Sequence, residues 1–217
     1  HRGLRAAAVD LPGHGNSGGE PLASIAEMAD WVVRFMDAAG FEHAHVVGHS
    51  MGTFIALELA SRHPERTDSI TLLGTATAMP VHPALLEAAE HDLPRAAALM
   101  SAWSHAKPAH IGVNPTPGLW MTGGASALVE NSRPGVLTAD FRACVGYDRA
   151  EAAAAAVTCP STVVIGLGDK MTPAKSGRTL AAALPSATTV ELADTGHMMM
   201  VESPRAVKRA VLAAAAG

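Results

Sequence analysis

Cysteine is scarce in this sequence. The 217 residues contain two cysteines, Cys144 and Cys159, and neither belongs to a C-x-x-C pair. Two isolated cysteines exclude a disulfide framework, and they form no motif typical of redox or zinc chemistry. The sequence therefore predicts a protein of the reducing cytoplasm.

Excess basic charge and long apolar runs are also lacking. Lys and Arg number 16 against 20 Asp and Glu, which gives a formal net charge of -4. Without a basic stripe for phosphate groups, neither nucleic acid nor a membrane surface is an expected partner. No uncharged apolar run approaches the roughly 20 residues of a membrane span, and the start HRGLRAAAVD lacks a signal-peptide pattern.

Strand-like and helix-like patterns alternate along two parts of the chain. Strands are predicted for residues 4–9, 44–47, 69–73, 161–165 and 188–192, and helices for residues 25–36, 51–61, 173–183 and 204–216. Strands that alternate with helices predict an α/β fold, with a mostly parallel sheet covered by helices on both faces.

The alternation stops between the two parts. This middle segment holds seven prolines, Ala-rich helical pieces and the loop NPTPGLWMTGG. We predict an inserted helical lid over residues 76–158, between two parts of one core, residues 1–75 and 159–217. Trp103, Trp120 and Met121 are candidates to line an acyl pocket beneath the lid. Packing in the lid's own core is an equal alternative for each of them.

One serine lies between two glycines, in the segment Gly48-His49-Ser50-Met51-Gly52. The pattern is G-x-S-x-G, with an apolar strand before it and a helical segment after it, as a nucleophile elbow requires. The sharp turn strains the serine backbone, and we expect the glycines to make room for it. The Met51 N–H is then a candidate oxyanion donor, while His49 is interpreted as a packing residue or a substrate contact.

A serine nucleophile needs a base and an acid that orients the base. Asp169 and His197 each follow a predicted strand, as Ser50 does, and the carboxyl ends of parallel strands meet at one edge of a sheet. The order Ser50, Asp169, His197 also fits the elbow arrangement. Asp194 is the rival acid, and Asp169 is preferred because Asp194 belongs to a strand-exit turn.

Other histidines have plainer interpretations. His14 lies in the turn PGHG, where hydrogen bonds that hold the loop are the expected role, with substrate contact as the alternative. His43 and His45 form an H-x-H pair without an evident third ligand, so no metal site is predicted.

Four segments, VDLPGHGNS, VVGHSMG, GLGDKMTP and DTGHMMMVESP, together resemble the landmarks of α/β-hydrolase fold serine hydrolases. The similarity is to the lid-bearing branch of esterases, lactonases and cofactor-free haloperoxidase-like enzymes. It implies cleavage of a small carboxylic ester or lactone through an acyl-enzyme, without a cofactor. Carbon–carbon bond hydrolysis and perhydrolysis by the same triad are alternatives, as is a non-catalytic ligand-binding or inactive protein.

The resemblance also implies that strands are missing at the amino-terminal end. The family has three strands before VDLPGHG, and a loop after the third supplies a second oxyanion donor; the residues His1-Arg2-Gly3 are not that loop. We therefore expect an amino-terminally truncated form of a chain of about 260 to 270 residues. Loss of one oxyanion donor lowers turnover by about 100 to 1,000 fold, so weak activity or none is the expectation for this chain.

Overall fold

A computed structural model describes residues 4–216 and shows a parallel sheet of four strands. The strands follow one another across the sheet in chain order. They are β1 (Ala44–His49), β2 (Thr67–Leu73), β3 (Ser161–Gly166) and β4 (Ala187–Leu192). Each covers the segment that the sequence predicts, with ends that differ by one or two residues.

Eleven α-helices lie within the described residues. In chain order they are α1 (Ile25–Ala39), α2 (Met51–Arg62), α3 (Pro83–His91), α4 (Leu93–Ser104), α5 (Lys107–His110), α6 (Met121–Glu130), α7 (Val136–Val145), α8 (Ala150–Ala156), α9 (Ala174–Ala183), α10 (Met199–Glu202) and α11 (Pro204–Ala214). None of those within residues 4–216 combines the length and apolar character needed to cross a bilayer.

The sheet is covered by helices on both faces. Successive residues of a strand point to opposite faces, so neighbouring strand residues belong to different clusters. Ile70 and Val163 face the main core, which contains buried residues of α1, α2, α8 and α9. Leu73 and Val164 face a second cluster formed with α10 and α11. The predicted two-sided α/β architecture is therefore confirmed.

Helix α1 shows how local sequence sets an element's ends. The Ser24 hydroxyl accepts a hydrogen bond from the Glu27 N–H, and the Glu27 carboxylate accepts one from the Ala23 N–H. The arrangement is a variant of the capping box, in which the carboxylate binds the N–H of the residue before the N-cap. Gly40 ends the helix with a φ of 68°, in the left-handed region that glycine adopts without a steric cost.

Helices α3 to α8 occupy the segment between β2 and β3. Leu85, Ala88, Ala96 and Phe141 form a small core of their own, separate from the clusters beside the sheet. The position of these helices matches the segment predicted as a lid, and their action as a lid remains a prediction.

The strand predicted for residues 4–9 is wrong. Leu4 and Val9 are exposed, and no strand is assigned before β1 within residues 4–216. A strand persists only where a neighbour pairs with its N–H and C=O groups, and the described residues place none beside this segment. Arg5 instead lies over the Phe41 ring, 4.2 Å from its centroid. The prediction about His1-Arg2-Gly3 lies outside the described residues.

Candidate active site

Ser50 lies at the sharp turn between β1 and α2. Its φ is 53°, which is uncommon for a residue with a side chain. Its N–H donates to the Leu73 carbonyl at 3.0 Å, and its own carbonyl accepts from the Thr53 N–H at 2.8 Å. The Thr53 hydroxyl donates to the same carbonyl at 2.7 Å. The elbow is therefore fixed from both sides.

The two glycines of the elbow differ in what they do. A Cβ atom at Gly48 would collide with the Gly52 carbonyl, so the turn requires glycine there. Apart from its chain neighbours and the backbone of its own helix, a Cβ atom at Gly52 would meet no heavy atom of residues 4–216 within 4 Å. The expectation that both glycines make room for the turn is thus wrong for Gly52 within the described part of the chain.

Met51 is the first residue of α2. The first N–H groups of a helix have no partner inside the helix and carry the positive end of its dipole. The N–H groups at this end follow directly on Ser50, so a negative oxygen that forms beside the serine would be stabilised there.

His197 and Asp169 form a buried pair. The Nδ1 atom of His197 lies 2.8 Å from Oδ2 of Asp169, and their side chains are 4% and 1% exposed. The hydrogen bonds that the structure shows for the His197 ring are made by Nδ1, to Asp169 and Thr172. Because the carboxylate must receive a proton from Nδ1, the other ring nitrogen, Nε2, is left as the one that can act as a base.

Asp169 is held by a local turn. Its Oδ1 atom accepts from the N–H groups of Met171 and Thr172 at 2.8 and 2.9 Å, and its Oδ2 atom accepts from the Thr172 hydroxyl at 2.7 Å. Burial acts to raise the pKa of Asp169, but the hydrogen bonds from His197 and Thr172 outweigh burial and hold the pKa below its ordinary value. The carboxylate is therefore ionised at neutral pH.

The end of β2 lies next to both Ser50 and His197. Ser50 is bound through its N–H to Leu73, the last residue of β2. The next residue, Gly74, has a φ of 62°, and a Cβ atom there would lie 3.0 Å from Nδ1 of His197. Ser50, Asp169 and His197, which the sequence predicts as the catalytic residues, thus lie at one edge of the sheet.

His49 contacts His197 directly. Its Nε2 atom donates to the His197 carbonyl at 2.9 Å, and the two ring centroids are 4.6 Å apart. Burial and then the nearby His197 lower the pKa of His49 to about 3. Of its two predicted roles, the structure shows the packing contact.

The aromatic candidates for an acyl pocket lie within the helical segment. Trp103 packs on the small core of α3 and α4 and meets the His82 ring at 5.5 Å. Trp120 is 76% exposed and lines a cavity of about 570 Å³ between α4 and α6, whereas Met121 is buried. Among the described residues that line this cavity, Ser50, Asp169 and His197 do not occur, so the structure does not bring Trp120 together with these three residues.

The other histidines considered for the site have other partners, and the rival acid is exposed. Asp194 lies in an exposed turn with a φ of 51°. His14 bonds to the Pro12 carbonyl and, through Nε2, to Asp140 of α7 at 2.8 Å. His43 pairs with Asp68, and His45 bonds to hydroxyl groups of β2.

Sequence reasoning missed three residues of this site. Thr172 contacts both Asp169 and His197. Asp169 accepts hydrogen bonds from the N–H groups two and three positions later, as in an Asx turn. An aspartate in such a turn is the local sequence signal that could have indicated Thr172. Ser104 and Glu202 hold the loop around His197. Ser104 is distant along the chain, and no local pattern indicates its contact.

Comparison with curated proteins gives relatives over most of the chain. A pimeloyl-[acyl-carrier protein] methyl ester esterase from Chromobacterium violaceum is 31% identical over 204 residues, 87% of this chain and 75% of that protein. A RutD protein from Caulobacter sp. (strain K31), whose name proposes carbamate hydrolysis, is 29% identical over 202 residues, 87% of this chain and 71% of that protein. A dihydrolipoyllysine-residue acetyltransferase component of the acetoin cleaving system of Cupriavidus necator is 51% identical, but the match spans 67 residues, 30% of this chain and 18% of that protein.

Solved structures and a family model agree with these relatives. A hydrolase from Pseudomonas aeruginosa PA01 superimposes with a TM-score of 0.81 at 26% identity, covering 94% of this chain and 77% of that one. The family model of the alpha/beta hydrolase fold matches residues 1–104, which include the elbow. With a two-sided parallel sheet, a strained serine at the elbow and relatives of this kind, the chain belongs to the α/β-hydrolase family of enzymes.

Proposed function

We propose that this protein is a serine hydrolase that cleaves a small carboxylic ester or lactone through an acyl-enzyme. The observation that carries the proposal is that the buried His197–Asp169 pair lies at the same edge of the sheet as the strained Ser50. A strained serine at the start of a helix, with an oriented histidine at the same sheet edge, is the arrangement that acyl transfer needs.

Each residue has one role in the proposed reaction. Ser50 Oγ attacks the substrate carbonyl while Nε2 of His197 takes the hydroxyl proton. Asp169 keeps the proton on Nδ1 and stabilises the imidazolium that forms, and its lowered pKa keeps it charged for that task. His197 then returns its proton to the leaving oxygen, and water releases the acyl group by the reverse sequence.

The tetrahedral intermediate carries a negative oxygen, and we assign its stabilisation to the Met51 N–H. This group lies at the first turn of α2, where the helix dipole also favours negative charge. One such donor is worth about 100 to 1,000 fold in turnover.

The helices between β2 and β3 are proposed to form a lid, with the substrate beneath it. The segment leaves the sheet at the carboxyl end of β2, the side on which Ser50 and His197 also lie. The name of the esterase relative supports an ester substrate, and acyl-chain length is the feature on which the lid would act.

The first test is labelling with a fluorophosphonate probe, which reacts with an activated serine. We expect an adduct at Ser50, located by mass spectrometry, and none in Ser50→Ala. Ser61, at the other end of α2, is the matched control, and Ser61→Ala should label like the wild type. A folded wild-type protein without an adduct would overturn the proposal and favour the alternative of a non-catalytic ligand-binding or inactive protein.

Carbamate hydrolysis is a second candidate, favoured by the RutD relative. Ser50 would attack the carbamate carbonyl while His197 takes its proton, as with an ester. The alcohol then leaves with that proton, and a carbamoyl-enzyme remains. A panel of 4-nitrophenyl esters, lactones and a 4-nitrophenyl carbamate separates the two candidates. Faster turnover of the esters than of the carbamate supports ester hydrolysis. A burst of 4-nitrophenol from the carbamate, followed by slow release of the carbamoyl group, argues against carbamate hydrolysis.

A further inference from the structure

The loop that carries His197 is bound to the end of helix α4. The N–H groups of His197 and Met198 both donate to the Ser104 carbonyl, at 2.7 and 3.1 Å. Ser104 is the last residue of α4. One carbonyl of the helical segment thus holds two successive peptide groups of the loop.

A single carboxylate joins the same two segments a second time. Oε2 of Glu202 accepts from the Ala106 N–H at 2.8 Å, just after α4. Oε1 of Glu202 accepts from the Gly196 N–H at 3.1 Å, directly before His197. Hydrogen bonds to an ionised acceptor are stronger than those between neutral groups, so this bridge is a strong link between the segments.

The two segments touch backbone to backbone. A Cβ atom at Gly196 would lie 2.5 Å from the Ala106 nitrogen and 2.8 Å from the His105 carbonyl carbon. Gly196 therefore has no room for a side chain, and His105 is fully buried at this contact. The loop around His197 cannot shift toward the helical segment, and the hydrogen bonds prevent a shift away from it.

From these contacts we infer that Glu202 is a positioning residue for the proposed reaction, which clamps the His197 loop to the end of α4. The inference rests on the proposed function for its kinetic consequence. Glu202 touches neither the serine nor the Asp169–His197 pair in the hydrogen bonds shown. It acts by fixing the peptide groups on which the His197 ring is mounted, so the base and the proposed lid move as one body.

A rigid link of this kind matters because base and nucleophile must meet within a narrow range. A displacement of about 1 Å costs about 100-fold in rate. His197 receives its ring orientation from Asp169 and its backbone position from Ser104 and Glu202. Removal of the Glu202 carboxylate leaves Asp169 bound to the His197 ring but frees the loop that carries His197.

The test compares Glu202→Ala and Glu202→Gln with a matched control, Glu191→Gln. Glu191 also accepts two hydrogen bonds, from Nε and Nη2 of Arg178, but it is exposed on β4. Folding is checked by circular dichroism and thermal unfolding. Hydrolysis of 4-nitrophenyl acetate then gives kcat and KM, and hydrogen exchange is followed in peptides that cover residues 104–106 and 196–198.

We expect Glu202→Ala to lower kcat by about 100-fold while KM changes by less than about threefold, because the base rather than the binding site is displaced. Glu202→Gln keeps one acceptor oxygen and should lose only about tenfold. Exchange should rise in both peptides of Glu202→Ala together, and Glu191→Gln should match the wild type in every measurement. If Glu202→Ala does not fold, Gly196→Ala, which forces the segments apart sterically, should give the same kcat pattern.

Two results would overturn the inference: wild-type kcat in folded Glu202→Ala, or exchange that stays slow in both peptides. A wild-type protein that is not labelled at Ser50 defeats the proposed function instead. In that case the exchange experiment still decides whether Glu202 clamps the loop.

Discussion

The Nε2 atom of His49 lies 2.9 Å from the carbonyl oxygen of His197. The carbonyl can only accept, so His49 carries a proton on Nε2. Burial and then the nearby His197 lower the pKa of His49 to about 3, so the ring is neutral near pH 7. A second positive charge beside His197 would oppose the imidazolium of the proposed mechanism. The burial that keeps His49 neutral therefore suits a residue packed against His197, the proposed base.

The lowered pKa of His49 predicts a loss of stability in acid. An unfolded chain binds a proton on this histidine below pH 6.5, whereas the folded protein does so only near pH 3. The free energy of unfolding therefore falls as the pH is lowered through this range. We expect the fall to be shallower in His49→Gln than in the wild type, measured by urea denaturation at several pH values. Parallel curves for the two proteins would contradict the assignment.

The two glycines of the elbow provide a matched pair. Gly48→Ala places a methyl group against the Gly52 carbonyl, and we expect it to lower the free energy of unfolding by about 1 to 3 kcal/mol and to abolish probe labelling. Gly52→Ala faces open space and should be neutral or stabilising by up to about 1 kcal/mol, because alanine favours a helix. Thermal unfolding of both variants, followed by labelling at Ser50, checks the prediction. Equal damage from both substitutions would refute it.

Periodicity was enough to predict the four strands of the sheet and helices α1, α2, α9 and α11. The patterns around Ile25, Phe54 and Val163 alternate or repeat strongly, and each lies in the element predicted. The pattern around Leu4 and Val9 looks equally strand-like but forms no strand. A local pattern reports which residues suit a strand, and it cannot report whether a neighbour is present to pair with them.

The candidate site also has a part that the sequence predicts and a part that only the structure shows. Ser50, Asp169 and His197 could be found because each follows a strand and parallel strands end at one edge. The clamp by Glu202 joins residues 96 positions apart along the chain, and no spacing rule predicts such a contact. The structure was also needed to place Trp120 at a separate cavity, because an apolar residue in a helical segment has no signature that distinguishes a pocket from a core.

The Thr172 hydroxyl should assist Asp169, the acid of the proposed triad. It donates to Asp169 at 2.7 Å and so helps to keep that carboxylate ionised. Thr172→Val removes the donor at nearly constant volume, and we expect a fall in kcat of about tenfold, since a hydrogen bond to a charged group is worth about 1.5 to 3 kcal/mol. Thr172→Ser retains the hydroxyl and is the control, with activity near that of the wild type. Steady-state kinetics on 4-nitrophenyl acetate measures both, and equal rates in Val and Ser variants would exclude the role.

The His14–Asp140 pair predicts a stability that depends on pH in the opposite sense to that of His49. The His14 side chain lies 2.8 Å from Asp140, and this hydrogen bond raises the pKa of His14 above 6.5 despite partial burial. A histidine whose pKa is higher in the folded state stabilises the protein fully below pH 6.5, and the contribution is lost as the pH rises through the folded pKa.

His14→Gln and Asp140→Asn should therefore each lower the free energy of unfolding by about 1 kcal/mol or more in mild acid, and by less in alkaline solution. Urea denaturation of both single variants and the double variant below and above pH 6.5 measures the coupling. The pair joins the PGHG turn to α7, so its loss should also raise proteolysis of that turn. A coupling that stays constant with pH would mean that the contact is a neutral hydrogen bond, and the raised pKa of His14 would then be rejected.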